Sequence, residues 1–153
     1  MVNYTPKRYE DHSNPFEGTI DQVMDKKYVS FHQKASIEDA IKKMLRADVT
    51  GAPVIDDDNR LVGYLSQRDC LKQATQMRYL NEQARLVEDY MGHDLVSFHF
   101  KTNIFHVIQS FIDKWIHAYP ITDDQGKVIG VITRHKMLSF VNKQNQTAWK
   151  KSA

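Results

Sequence analysis

The chain has 153 residues, 41% of them apolar and 26% charged, which is typical of one compact globular domain or two very small ones. Its formal net charge is +2, and the surplus bases lie in the tail at Lys143, Lys150 and Lys151, so no basic face predicts nucleic-acid binding. The longest aliphatic runs, such as residues 128–132, are far shorter than a membrane span of about 20 residues, so no membrane partner is expected.

Cysteine usage and the N-terminus favour the cytoplasm. Cys70 is the only cysteine, which excludes an internal disulfide and fits a reducing compartment. The first residues carry no apolar segment typical of a secretory signal. We therefore expect a cytoplasmic protein in which Cys70, within an apolar helical pattern, is a buried small hydrophobe.

Residues 1–18 contain prolines, a glycine and scattered polar residues without periodicity. This pattern predicts an extended N-terminal arm, laid across the domain through Tyr4, Tyr9 or Phe16.

Secondary-structure signals then follow in a regular order. Ser36 precedes apolar residues at helical spacing, and Asp39 stands at the capping-box position three residues later. Residues 50–53 end this helix, and an acidic turn at 56–60 separates two further strand-like runs. The predicted elements are a strand at 28–31, a helix from 37, strands at 54–55 and 61–65, and a helix from 67 that continues into a polar connector at 75–86.

The same pattern occurs twice. When the sequence is shifted by 67 positions, 13 of the 53 residues from 20 to 72 are identical to their counterparts at 87–139, without a gap. Ordinary composition gives roughly 3 identities over such a length. The chain therefore contains an internal repeat.

Each repeat reads strand, helix, strand, hairpin, strand, helix, and a unit of about 50 residues buries too little surface to be stable alone. We expect an α+β fold with α/β-type repeats, in which two β-α-β-β-α units stack sheet to sheet about a pseudo-twofold axis. This places residues 63–70 opposite residues 130–137 across a cleft. The predicted segments are the arm 1–18, repeat 1 at 19–74, the helical connector 75–86, repeat 2 at 87–141 and a basic polar tail at 142–153.

The repeats resemble a tandem CBS-domain pair, also called a Bateman module. The resemblance covers roughly residues 20–140 and depends on Gly-Ala-Pro-Val-Ile-Asp at 51–56, Leu-Val-Gly-Tyr-Leu-Ser at 61–66, Arg-Asp at 68–69 and their counterparts at 118–133. It implies adenine nucleotides or related adenosyl ligands bound between the repeats, and dimerisation through helices into a flat disc. It also implies a regulatory role as an energy or metabolite sensor.

Ser66 and Asp69 match the Ser/Thr-x-x-Asp signature of that family. A carboxylate can accept hydrogen bonds from both hydroxyls of a ribose, so the resemblance makes Asp69 the ribose clamp with Ser66 beside it. The alternative is that Asp69 caps its helix, because acids favour first turns.

Repeat 2 departs from the signature, since Lys136 stands at the position of Asp69 and an ammonium group cannot accept a hydrogen bond. One ligand per chain is therefore expected. Cationic donors near the shared cleft could hold its phosphates, and the alternative is a solvated helix end. These phosphate candidates are Thr133, Arg134, His135 and Lys136, together with Arg68.

The resemblance further implies base pockets that draw on segments before each first helix and before each proline. Packing in the core or at a rim is the alternative reading. For the Asp69 cleft these residues are Leu95, Val96, Ser97, His117, Ala118 and Tyr119. For the second, weaker cleft they are Val29, Ser30, Thr50 and Gly51.

No metal site and no enzyme are predicted. The acids at 56–58 and 123–124 fall in hairpin turns, which favour Asp for conformational reasons. No pattern typical of a zinc protease, a nucleophile elbow or a P-loop occurs. His32 and His99 are repeat equivalents, which suggests a shared structural or cleft position.

The sequence thus predicts a non-enzymatic regulatory module that binds an adenine nucleotide such as AMP, ADP or ATP and transmits occupancy to an unknown protein target, as an expected homodimer. No cofactor is required. The alternatives are a ligand-free dimerisation scaffold, and a module that binds S-adenosylmethionine or cyclic di-AMP.

Overall fold

The computed structural model describes residues 15–80 and 85–152, which form two similar units in succession. The elements of the first unit are α1 (Ile20–Val23), β1 (Phe31–His32), α2 (Ile37–Ala47), β2 (Gly51–Ile55), β3 (Leu61–Ser66) and α3 (Gln67–Leu80). Those of the second are a 3-10 helix (Val87–Asp89), β4 (Phe98–His99), α4 (Ile104–Asp113), β5 (Ala118–Thr122), β6 (Val128–Thr133) and α5 (Arg134–Lys151).

Each unit forms a three-stranded mixed sheet, with the strand orders β1-β2-β3 and β4-β5-β6. The first strand of each sheet runs parallel to the second, and the third runs antiparallel to it. The pairing register repeats at the offset of 67, since Val54 faces Gly63 as Ile121 faces Gly130. The α+β class and the two β-α-β-β-α repeats are confirmed.

The strands differ in length from the sequence expectation. A strand was predicted at 28–31, but β1 is only Phe31–His32 because the chain ahead of it pairs with the other repeat through Asp25. The strand expected at 54–55 begins earlier, at Gly51, and includes Pro53. A proline is tolerated there because β1 pairs only with Val54 and Ile55, so β2 has no neighbour on that side at Pro53.

The segment that precedes the first strand of each repeat, called the exchanged segment below, pairs with the last strand of the other repeat. The Asp25 N–H donates to the Val131 carbonyl at 2.8 Å, and the Val131 N–H donates back at 3.1 Å. Gly92 and Tyr64, their counterparts at the offset of 67, form the same two bonds at 2.8 and 3.1 Å. The repeats are therefore related by a pseudo-twofold axis and exchange their N-terminal segments.

The two hairpins meet at this axis. The Leu61 N–H donates to the Gly126 carbonyl at 3.1 Å, and the equivalent Val128 N–H donates to the Asn59 carbonyl at 3.0 Å. Asn59 (φ 62°) and Gly126 (φ 75°) occupy the left-handed region at matching turn positions. Residue types that tolerate this conformation therefore shape both hairpins.

Each hydrophobic core contains residues of the segment exchanged from the other repeat. Ile20 and Val23 of α1 are buried with Ile104, Tyr119 and other residues of repeat 2. In turn, Val87 is buried in the core of repeat 1. Neither core is complete without the other repeat.

The N-terminal segment passes over α5. The Phe16 and Phe140 rings lie 6.5 Å apart, and the Gln144 side-chain amide donates to the Glu17 carbonyl at 2.7 Å. Tyr4 and Tyr9 lie outside the described residues, as does part of the predicted connector.

Candidate functional site

The start of α3 is closed by reciprocal hydrogen bonds between Ser66 and Asp69. The Asp69 Oδ2 atom accepts from the Ser66 backbone N–H at 2.9 Å and from the Ser66 hydroxyl at 2.7 Å. The Ser66 Oγ in turn accepts from the Asp69 N–H at 3.1 Å. Together these bonds form a capping box, which satisfies donors that a helix start leaves unpaired.

The start of α5 has a cap but no reciprocal acid. The Thr133 hydroxyl accepts from the Lys136 N–H at 3.1 Å, as Ser66 does at α3. The Lys136 side chain turns elsewhere, and its Nζ lies 3.2 Å from the Asp25 Oδ1 of the exchanged segment. The ammonium group that replaces the expected carboxylate is therefore paired with an acid from the other repeat.

A large cavity of about 1070 Å³ lies between the repeats on the side of Thr133. This volume is at the upper end of the roughly 300–1,000 Å³ usual for small-molecule sites. It is lined by Asp25, Lys27, Tyr28, Val29, Ala47, Asp48, Val49, Thr50, Gly51, Pro53, His117, Ala118, Val131, Thr133, Arg134, His135 and Leu138.

A second cavity, of about 230 Å³, lies on the side of Ser66. Its volume is below the range that is usual for small-molecule sites. It is lined by Thr50, Tyr64, Ser66, Asp94, Leu95, Val96, Trp115, Ile116, His117 and Ala118.

The Tyr64 side chain narrows the smaller cavity. Tyr64 lines the smaller cavity, and its ring lies so close to Gly51 that a Cβ there would meet it at 2.6 Å. The matching residue of the larger cavity is Val131. Trp115 likewise lines the smaller cavity where its counterpart, Asp48, lines the larger one. Burial raises the pKa of Tyr64 to about 12, so this phenol is neutral at physiological pH.

The residues predicted for one ligand are divided between the two cavities. Ser66, Leu95, Val96, His117 and Ala118 line the smaller one. Thr133, Arg134 and His135 line the larger one together with His117, Ala118 and three of the residues assigned to the weaker cleft, Val29, Thr50 and Gly51. Neither lining includes Ser30, Arg68, Asp69, Ser97, Tyr119 or Lys136.

Tyr119, expected in a base pocket, belongs to the core of repeat 2. Its side chain is fully buried between Phe98 and Phe111, with ring centroids 5.0 and 4.7 Å away. Its hydroxyl lies 2.8 Å from the Ser110 hydroxyl and donates to the Ser110 carbonyl at 3.2 Å. This is the packing alternative that the sequence left open.

His117 stands between the cavities and lines both. An Arg134 guanidinium nitrogen, Nη2, lies 3.0 Å from the His117 Nδ1. Arginine only donates, so Nδ1 accepts and the proton of the neutral imidazole lies on Nε2. This contact holds the Arg134 side chain at the boundary of the two cavities.

Sequence reasoning did not identify Asp25, Lys27 or Asp48 as cavity residues. Asp25 and Lys27 belong to the exchanged segment, and only its pairing with β6 brings them to the start of α5. A sequence signal existed in the mismatch between Asp25 and its counterpart Gly92, because it places a carboxylate at the bridge position of one cleft alone.

The acidic hairpins stabilise their own turns. Asp56 Oδ1 accepts from the backbone N–H groups of Asp58 and Arg60, each at 2.9 Å. Asp123 repeats this arrangement, and the backbone hydrogen bond from Lys127 is the largest cause of its lowered pKa. Within the described residues, no group of three or more His, Cys, Asp or Glu side chains could hold a metal ion.

The repeat-equivalent histidines contact these hairpins. His32 Nε2 lies 2.7 Å from an Asp57 carboxylate oxygen, and His99 Nε2 lies 2.7 Å from Asp124. Each Nδ1 accepts from a backbone N–H two residues later, at 3.1 Å. Both histidines therefore connect a first strand to its hairpin.

Cys70 is buried in the core of repeat 1, and burial is the main cause that raises its pKa to about 11. The thiol is therefore protonated at physiological pH and unreactive. Within the described residues, no helix is both long and apolar enough to cross a membrane.

The chain is therefore a tandem-repeat module, in which the two repeats exchange segments and form two clefts between them. The chain belongs to the CBS domain family, whose model matches residues 20–75 and 87–143. The two CBS domains in tandem form a Bateman module.

Similar proteins share this arrangement. The crystal structure of CBSX2, a CBS-pair protein of Arabidopsis thaliana, in complex with AMP has a TM-score of 0.72 at 25% identity, over 82% of this chain and 96% of that one. The CBS domain pair of MJ0100, in complex with 5'-methylthioadenosine and S-adenosyl-L-methionine, has a TM-score of 0.70 at 21% identity over 82% and 97%, which shows the fold. Protein MJ1225 of Methanocaldococcus jannaschii is 23% identical over 128 residues, and the match covers 81% of this chain and 44% of that protein.

Proposed function

We propose that this chain is a regulatory module that binds an adenine nucleotide between its two CBS repeats and transmits the occupancy to a partner protein. The observation that carries the proposal is the cavity of about 1070 Å³, which both repeats line. It is large enough for a nucleotide and presents the groups that such a ligand requires.

Those groups match the parts of a nucleotide. Val29, Val49 and Ala118 supply apolar surface for a base. Lys27 and Arg134 supply cationic donors for phosphate, which arginine binds in a planar, bidentate manner. Solved CBS pairs with AMP, or with 5'-methylthioadenosine and S-adenosylmethionine, support an adenosyl ligand for this chain as well.

Regulation follows from the location of the cavity. Because both repeats line it, a ligand changes the balance between conformations that differ in the repeats' separation. The change is limited by the ligand's differential affinity for those conformations. We propose that the partner protein reads this difference, that the module acts in the cytoplasm, and that it neither catalyses a reaction nor requires a cofactor.

Thermal unfolding with a panel of ligands tests the proposal. The panel consists of AMP, ADP, ATP, S-adenosylmethionine and cyclic di-AMP. A ligand at 100 times its dissociation constant should raise the free energy of unfolding by about 2.7 kcal/mol, which is a rise of about 5 to 10 °C in Tm. Uridine monophosphate, which shares the ribose and the phosphate with AMP, serves as the control for recognition of the adenine base. If none of the five ligands shifts Tm, the proposal is contradicted.

The second candidate function is a ligand-free dimerisation scaffold. It is favoured by the smaller cavity, where Tyr64 occupies space that Val131 leaves open in the larger cavity. It is also favoured by exposed apolar side chains at matching positions of the two repeats, Leu45 with Ile112 and Leu71 with Leu138. A stable dimer without any ligand-induced shift would support this candidate.

A further inference from the structure

At each cleft junction, one carboxylate is found among two positions, the third residue of the helix and the bridge residue of the exchanged segment, and the two clefts differ in which position carries it. At the first junction the acid is Asp69, on the helix start, and the exchanged segment presents Gly92. At the second junction the helix start presents Lys136, and the exchanged segment carries Asp25. The carboxylate has therefore changed sides between the two clefts.

Asp25 is held in place by backbone and side-chain contacts. Its backbone forms the two-bond bridge with Val131, two residues before Thr133. Its Oδ1 lies 3.2 Å from the Lys136 Nζ, and its side chain is 38% exposed. Asp25, Val131 and Thr133 all line the larger cavity. Asp69 does not line the smaller cavity, because its carboxylate turns back onto Ser66.

We propose that Asp25 is the ribose-binding residue of the larger cavity and that Lys136 is the positioning residue that orients it. This inference rests on the proposed function and names the cleft and the acceptor for that ligand. A carboxylate has about four lone-pair sites, so it can accept from both ribose hydroxyls while Lys136 holds Oδ1. A hydroxyl that donates to an ionised acceptor forms a strong hydrogen bond, so this contact should contribute strongly to the affinity for the ligand.

Charge around the cavity orients the rest of the ligand. Lys27, Arg134 and His135 line the same cavity as Asp25 and can meet a phosphate, whereas a carboxylate would repel it. The ribose therefore faces Asp25, and the phosphate faces the cationic side chains.

Asp48 is the competing carboxylate, since it also lines the larger cavity. It ends α2 in the left-handed conformation, with φ 51°. Its counterpart at the offset of 67 is Trp115, so repeat 2 has no carboxylate at this position. The variant Asp48→Asn therefore tests which of the two cavity acids binds the ribose.

The test compares AMP with 2',3'-dideoxy-AMP by titration calorimetry on the full chain. The wild type should bind AMP about 10-fold or more tightly than the dideoxy analogue, the weight of a charge-assisted hydrogen bond. Asp25→Asn replaces the ionised carboxylate by a neutral amide with one acceptor oxygen, so the ratio should fall to a few-fold at most. Circular dichroism of the variant checks that it is folded.

Lys136→Gln tests the positioning role. It should weaken AMP binding less than Asp25→Asn does, and it should have no further effect on AMP affinity when added to Asp25→Asn. Residues that act through one another are non-additive in this way. If the two effects add, Lys136 does not act through Asp25 and that part of the proposal is overturned.

Two further variants decide between clefts and acids. Asp21→Asn removes an exposed acid of α1 that pairs with Lys26 and lines neither cavity, so this variant should keep the wild-type ratio. If Asp48→Asn or Asp69→Asn abolishes the ratio while Asp25→Asn retains it, the assignment is overturned and the proposed function stands. If no member of the ligand panel binds the wild type, the proposed function fails, and this inference fails with it.

Discussion

At the residue scale, the Asp69 carboxylate stabilises the start of α3 through its own hydrogen bonds. Its two hydrogen bonds from Ser66 both end on Oδ2. The sequence predicted either ribose binding or helix capping for Asp69, and its hydrogen bonds are those of a helix cap. Binding a ribose through the same oxygen would require these bonds to be shared or broken.

Asp69→Ala should therefore destabilise the chain without ligand. Loss of the capping box at α3 should lower the free energy of unfolding by about 1 kcal/mol, as measured from urea midpoints at unchanged slope. Lys72→Ala is the control, because Lys72 is an exposed residue of the same helix and lies outside its capping box.

The same variant also separates the two clefts. With AMP added, Asp69→Ala should show the same rise in Tm as the wild type, since Asp69 does not line the larger cavity. If the rise in Tm is lost in this variant, Asp69 binds the ribose, as the family signature implies.

At the scale of elements, two glycine–methionine contacts join the repeats. Gly63 of β3 packs against Met91, and Gly130 of β6 packs against Met24. A Cβ on Gly63 would overlap the Met91 sulfur, and one on Gly130 would lie 2.7 Å from the Met24 sulfur. In each case the methionine belongs to the segment exchanged from the other repeat.

Gly63→Ala and Gly130→Ala should each destabilise the chain by about 1 to 3 kcal/mol, the usual effect of overpacking. Gly130→Ala should be the more costly, because its Cβ would also lie 3.1 Å from the Asp25 backbone carbonyl, which moves less easily than a side chain. Urea unfolding measures both.

Gly92→Ala is the control for loss of glycine itself. Its Cβ would make only an ordinary contact of 3.7 Å with the Tyr64 carbonyl. Because Gly→Ala lowers the entropy of the unfolded chain, Gly92→Ala should be neutral or slightly stabilising, and equal losses in all three variants would show that the methionine contacts do not set the effect.

These elements also show what the sequence could predict. The repeat at offset 67 predicted the order of helices and strands and the matched hairpins, because local patterns fix both. It did not predict the short β1 or the exchanged segments, because those depend on pairing with residues about 100 positions away, such as Asp25 with Val131.

Cleft volume was the least predictable property. The aromatic side chain that narrows the smaller cavity, Tyr64, was an ordinary strand residue in the sequence pattern. The position of Asp25 in the larger cavity likewise depends on its pairing with β6. Sequence reasoning pointed to the two helix starts but could not predict the volume of the cavity beside each.

At the scale of the whole molecule, the exchanged segments make the repeats interdependent. Ile20 completes the core of repeat 2, and Val87 completes that of repeat 1. Movement of one repeat against the other must therefore displace core residues as well as cleft residues. A ligand bound in the larger cavity acts on this shared packing.

The exposed apolar residues follow the same pseudo-symmetry and predict a homodimer. Leu71 of α3 and Leu138 of α5 are 69% and 68% exposed at matching positions, as are Leu45 and Ile112 at 68% and 69%. Leu138 also lines the larger cavity, so a second copy that packs there would contact the ligand cleft. Burial of such side chains favours association by roughly 25 cal/mol for each Å² removed from water.

Leu71→Glu should weaken this dimer by placing a charge in the apolar face. We expect its dissociation constant to rise about 10-fold or more, because each 1.4 kcal/mol of lost burial corresponds to one factor of ten. Sedimentation equilibrium of the wild type and the variant measures the change. Gln76→Glu adds the same charge to another exposed position of α3 and should leave the constant unchanged. A wild-type monomer, or a Leu71→Glu dimer as stable as the wild type, would contradict assembly through this face.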